Sequence, residues 1–125
     1  MNYKTFFKSL VVAASLAIGH VALAGDADFT LTNRTGYDIE SVFITPSRSK
    51  SWGQDRLGRS ILLNGRSRDM IFNKYGSVCI YDMKIHWEGY GEDEDRTWEN
   101  IDLCSIQKIT LRYNRSTDVT TAVFE

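Results

Sequence analysis

Four carboxylates stand in a row at Glu92, Asp93, Glu94 and Asp95, and hard oxygen ligands of this kind are what Ca²⁺ takes. The EF-hand spacing is absent. Adjacent like charges repel unless water or a cation screens them, so the run reads either as a solvated turn or as a calcium site, with Asp55 and Asp82 able to join only if the fold brings their loops together. A second chemistry is recognition by a lone aromatic. Trp52 sits among Ser, Lys and Arg, and the loop residues Trp52, Gly53, Asp55, Arg56 and Leu57 could stack on a sugar or anchor a protein partner. The alternative is that Trp52 folds back with Leu57 and plugs one end of the fold. Catalysis finds less material. Once a leader is removed, His86 is the one histidine, and there is no G-x-S-x-G elbow, H-E-x-x-H pair or phosphate-cradling glycine loop. An enzyme is therefore not expected.

The element that must carry most of these groups is a hairpin over residues 77–105. Cys79, Tyr81, Met83, Ile85 and Trp87 alternate with more polar neighbours, the period-2 mark of a half-buried strand. That alternation sends His86 to the other face, beside Lys84 and Glu88, as an exposed side chain. With Gly91 and Glu92 at the middle of the turn, Ile85 faces Trp98, Lys84 faces Glu99, Ile80 faces Leu103 and Cys79 faces Cys104. Opposed Cβ atoms on paired strands lie about 4.5–5.5 Å apart, near what a disulfide needs. A disulfide between Cys79 and Cys104 is expected, since the spacing is not C-x-x-C and no histidine lies nearby to complete a metal set.

The N-terminus supplies the redox context. Lys4 and Lys8 precede the apolar run from Leu10 to Ile18, and Ala22 and Ala24 occupy an A-x-A site, so residues 1–24 read as a cleavable signal peptide. The apolar run is too short for the roughly 20 residues of a membrane span. Export to the periplasm or beyond follows, where disulfides persist. Of 125 residues, 101 remain after removal of 24, enough for one small domain over 25–125 with a thin core. Loss of Lys4 and Lys8 lowers Lys plus Arg from 15 to 13 against 16 Asp plus Glu, a net charge of −3. That balance argues against nucleic acid as a partner. A monomer is expected, with an unidentified protein or glycan as ligand and no cofactor other than Ca²⁺.

Short alternating runs fill the rest. Phe29 to Thr32 opens a strand ended by Asn33, Thr35 and Gly36. Ile39 is out of phase with Val42 and Ile44, which predicts a bulge near Glu40 and Ser41, and Pro46 closes that strand. After the long loop from Ser47 to Gly58, strands at Ser60–Leu63 and Ser67–Phe72 flank Asn64-Gly65, a strong hairpin signal. A turn at Asn73, Lys74 and Gly76 leads into the Cys79 hairpin, and two more strands follow around Ile109–Tyr113 and Val119–Phe124. The expected fold is all-β: a small antiparallel β-sandwich of about seven to eight short strands with one disulfide.

Several motifs follow one another along the chain: Asn33-Arg34-Thr35-Gly36-Tyr37-Asp38-Ile39; Pro46-Ser47 through Trp52-Gly53-x-Asp55-x-Leu57-Gly58; Cys79-x-Tyr81-Asp82-Met83; and Trp98 followed by Ile101-Asp102-Leu103-Cys104. In these the chain, from Phe29 to about Leu111, resembles a family of small uncharacterised secreted proteins of Gram-negative bacteria. The resemblance implies a β-sandwich and a periplasmic or secreted address. It brings no catalytic residue. The acidic run at Glu92–Asp95 and the chain from Asn114 onward lie outside the pattern.

Overall fold

The computed structural model describes residues 26–72 and 76–125. The leader expected over 1–24 and the turn at Asn73 and Lys74 lie outside the described residues. Within them the chain forms β1 (Phe29–Arg34), β2 (Ile39–Pro46), β3 (Ser67–Met70), β4 (Ile80–Trp87), β5 (Arg96–Asp102), β6 (Lys108–Asn114) and β7 (Val119–Phe124). One sheet has the order β3-β1-β6-β7 and the other β2-β4-β5. Leu31, Ile109 and Leu111 from the first and Val42, Met83 and Ile85 from the second are all 0–1 % exposed, which places the core between the sheets. Burying such a side chain fully stabilises by roughly 1.5–3 kcal/mol. Among the described residues no helix is long and apolar enough to cross a membrane.

The sandwich is antiparallel except at one seam. β1 runs parallel to β6, with Leu31 opposite Ile109 and Asn33 opposite Leu111. A parallel pair needs a long connection between its strands, and here the whole second sheet lies between them in sequence. The consequence is directional: β1, β4 and β6 end, and β2, β5 and β7 begin, at one end of the sandwich.

Two expected pairings differ. Residues 60–63 form no strand, and only Leu62 bridges to Ile39. Asn64 and Gly65 do turn, Gly65 at φ +87°, but they are held by other partners. Gly65 N donates to Asn33 O (2.6 Å) and Asn64 N to the Asp38 carboxylate (2.9 Å). The turn thus carries the chain from one sheet to the other, and β3 pairs with β1.

The β4–β5 register also departs from the expected one. Ile80 faces Asp102, Tyr81 faces Ile101, Met83 faces Trp98 and Ile85 faces Arg96, with a shift between Tyr81 and Met83. The cause is a bulge at Asn100, which takes the left-handed conformation at φ +57°. Asp82 fixes it, accepting from Asn100 N (2.9 Å) and from the Ser47 hydroxyl (2.6 Å). Cys104 consequently lies beyond β5, in a short 3-10 turn over Leu103–Ser105. It still meets Cys79 in a disulfide, with Cα atoms 5.2 Å apart. The bulge expected in β2 is present between Ile39 and Ser41, and it lets Ile39, Val42 and Ile44 all face inward.

Candidate functional site

The acidic run does not converge. Glu92–Glu94 is a single 3-10 turn. The Asp95 carboxylate turns to His86 (2.7 Å), Glu94 lies 3.8 Å from Arg96, and Asp93 lies over Gly91. Among the described residues the one set of three close candidate ligand atoms is Cys79, Asp102 and Cys104, whose sulfurs are joined to each other. Asp55 and Asp82 are each engaged with backbone elsewhere.

The Trp52 loop is largely framework. The Asp55 carboxylate accepts from Val42 N and Leu57 N, both at 2.9 Å, and Arg56 N donates to Val42 O (2.6 Å). The Arg56 guanidinium lies 4.4 Å from the Phe72 ring centroid and reaches the carbonyls of Ile71 and Ile44, and its burial lowers its pKa. Leu57 is buried in the core. Gly53, at φ +75°, is exposed. Trp52 itself, half-buried, lies on the outer face of the second sheet with the Lys84 ammonium 5.1 Å from its ring and 5.1 Å from that of Phe43. It does not plug the end of the core.

His86 is half-buried rather than exposed. Its Nδ1 is 2.7 Å from Asp95 Oδ1 and its Nε2 is 3.6 Å from Glu40 Oε1. The hydrogen bond to Asp95 raises its pKa above 6.5, with Glu40 and Glu92 adding to the rise against the opposing effect of burial. Its Nε2 faces the Glu40 carboxylate rather than a hydroxyl, unlike the histidine of a Ser-His-Asp set. Because the folded pKa is the higher, the stabilisation is complete below about pH 6.5 and is lost as pH rises through the folded value. Thermal midpoints should therefore fall across that window in the native chain and lose that step in His86→Gln; an unchanged profile in the variant would locate the dependence elsewhere.

Of the residues that do converge, the sequence singled out Glu94 alone as a site residue, and for calcium. At the end where β1, β4 and β6 stop, Tyr37, Trp87, Tyr90, Glu94, Arg96, Tyr113, Asp118 and Thr120 line a cleft of about 90 Å³. Tyr37 is its centre, in edge contact with Trp87 (6.2 Å), Tyr90 (6.1 Å) and Tyr113 (5.5 Å). Edge-to-face pairs at these spacings are favourable, and they bind the two sheets together.

Tyr37 is fixed from behind by Asn33, a polar side chain with no exposure at all. Asn33 Nδ2 donates to Tyr37 O (2.7 Å) and Leu62 O (3.0 Å). Its Oδ1 accepts from Thr35 N (3.1 Å) and the Thr35 hydroxyl (2.7 Å), and that hydroxyl accepts from Tyr37 N (3.2 Å). The Asx turn so formed, with Gly36 at φ +90°, aims the tyrosine across the end of the sandwich.

The rim is polar and carries both signs. Arg96 Nη1 donates to the carbonyls of Glu94 (2.8 Å) and Asp95 (3.1 Å), while Nη2 lies 3.5 Å from Asp118 and 3.8 Å from Glu94. The Tyr113 hydroxyl donates to Asp118 (2.8 Å), and this bond is the main cause of its raised pKa. Trp87 Nε1 donates to Glu94 O (2.9 Å). One group is left over. Among the described residues the Thr120 hydroxyl has no hydrogen-bond partner, and it is shut off from solvent. Three of the four cleft aromatics stand beside turn formers, in Gly36-Tyr37, Gly89-Tyr90-Gly91 and Tyr113-Asn114. That placement is the signal a sequence reader could have used. No known protein family, curated protein or solved structure matches this chain.

Proposed function

We propose that the chain is an exported, non-catalytic binding module whose ligand site is the Tyr37 cleft. The observation that carries this reading is the convergence of four aromatic rings from both sheets on a recess with polar groups at its rim, the composition expected of a small-ligand site. Glycan or protein recognition through the Trp52 loop is the competing placement, and the framework duties of Asp55, Arg56 and Leu57 count against it. The leader over 1–24 and the Cys79–Cys104 disulfide support a periplasmic or secreted address.

Chemical-shift mapping on the ¹⁵N-labelled mature chain tests the placement. A panel of neutral monosaccharides, choline, acetate and a short peptide should move the amides of residues 36–37, 87–96, 113 and 118–120. Shifts confined to residues 51–54, 43 and 84 would transfer the site to the Trp52 face. An unmoved spectrum would remove the cleft from consideration.

A further inference from the structure

We infer that the Tyr37 cleft takes one ring of a neutral saccharide, an assignment that rests on the cleft being the binding site. Three properties select this ligand. The walls are the carbon faces and edges of Tyr37, Trp87, Tyr90 and Tyr113, and Tyr90, 51 % exposed, offers the accessible aromatic surface against which the C–H face of a pyranose stacks. The volume, about 90 Å³, is several times the roughly 10–15 Å³ that one water needs by the same measure. It admits the face of one ring and not a folded peptide.

Charge decides among small ligands. A quaternary ammonium would gain from the aromatic rings and from Glu94 and Asp118, but it would meet the Arg96 guanidinium and leave the hydrogen-bonding groups of the rim unused. An anion would gain from Arg96 and meet Glu94 and Asp118. A polyhydroxylated neutral ring uses both signs, because each hydroxyl donates and accepts. The 3.5 and 3.8 Å separations of Arg96 Nη2 from Asp118 and Glu94 are too long for good direct hydrogen bonds. A sugar hydroxyl that accepts from Nη2 while donating to Asp118 would satisfy both.

The test is titration of the full mature chain, by amide shifts and calorimetry, with methyl α-D-glucopyranoside, N-acetylglucosamine and its β-1,4-linked trimer, alongside choline and glucuronate. Neutral sugars should shift the cleft amides, and Tyr90→Ala and Asp118→Asn should each weaken that binding at least tenfold. Both residues are exposed, and an unchanged thermal midpoint shows that the variants fold. Tighter binding of the trimer than of either monosaccharide would identify a glycan chain as the source, and equal binding a free sugar. Choline or glucuronate shifting the cleft amides while neutral sugars do not would overturn the saccharide assignment and leave the cleft as the site. If no probe moves those amides, both fall.

Discussion

Replacing Asn33 with Ala is expected to destabilise the domain by about 2–4 kcal/mol. The side chain is fully buried and makes four hydrogen bonds. Alanine leaves Thr35 N buried without that partner, at about 1–3 kcal/mol, and takes from Leu62 O one of its two donors, Ile39 N remaining at 3.0 Å, at about 0.5–1.5 kcal/mol. The Thr35 hydroxyl, 3.0 Å from Tyr37 O, can turn to that carbonyl and recover part of the loss. Against a total stability of roughly 5–15 kcal/mol, such a change is measurable by urea denaturation. Arg34→Ala, at the exposed neighbour, should stay within about 0.5 kcal/mol of the native chain. A cost below about 1 kcal/mol for Asn33→Ala would mean that the Asx turn does not organise this end of the sandwich.

The Cys79→Ser/Cys104→Ser double variant is expected to lose about 3–4 kcal/mol. The bridge closes a separation of 25 residues, and the loop-entropy relation gives a value of that order. It also pins the 3-10 turn after β5 to the start of β4, where Leu103 N donates to Cys79 O (2.9 Å). Intact mass with and without reduction establishes the bond in exported protein, and denaturation of the double variant gives its contribution. Two alkylatable thiols in unreduced material would refute the bridge. Because the disulfide is at the end of the sandwich opposite Tyr37, ligand binding by the folded double variant should be unchanged.

The sequence carried the inward faces and the covalent link more clearly than the pairings. Alternation in β4 placed Tyr81, Met83, Ile85 and Trp87 inward, as found, because a strand buried on one face must repeat every second residue. The phase break at Ile39 marked the β2 bulge for the same reason. Asn64-Gly65 misled, since local turn chemistry fixes a reversal and leaves open which sheet the chain joins next. The β4–β5 register was beyond a count from the turn, because a left-handed residue at Asn100 and the reach of Asp82 and Ser47 are tertiary facts. Asn33, Thr35, Asp55, Asp82 and Asp102 hold backbone groups in this fold. The cleft draws one tyrosine or tryptophan from each of several strand ends and turns, and no spacing along the chain joins them.

The most direct test of the binding account is saturation-transfer difference NMR with methyl α-D-glucopyranoside, irradiating the aromatic protons of the native chain and of two single variants. Transfer to the ring C–H protons of the sugar is expected in the native chain and in Trp52→Ala, and is expected to vanish in Tyr90→Ala. Transfer that survives Tyr90→Ala and disappears in Trp52→Ala would place recognition on the outer face of the second sheet and contradict the assignment of the Tyr37 cleft.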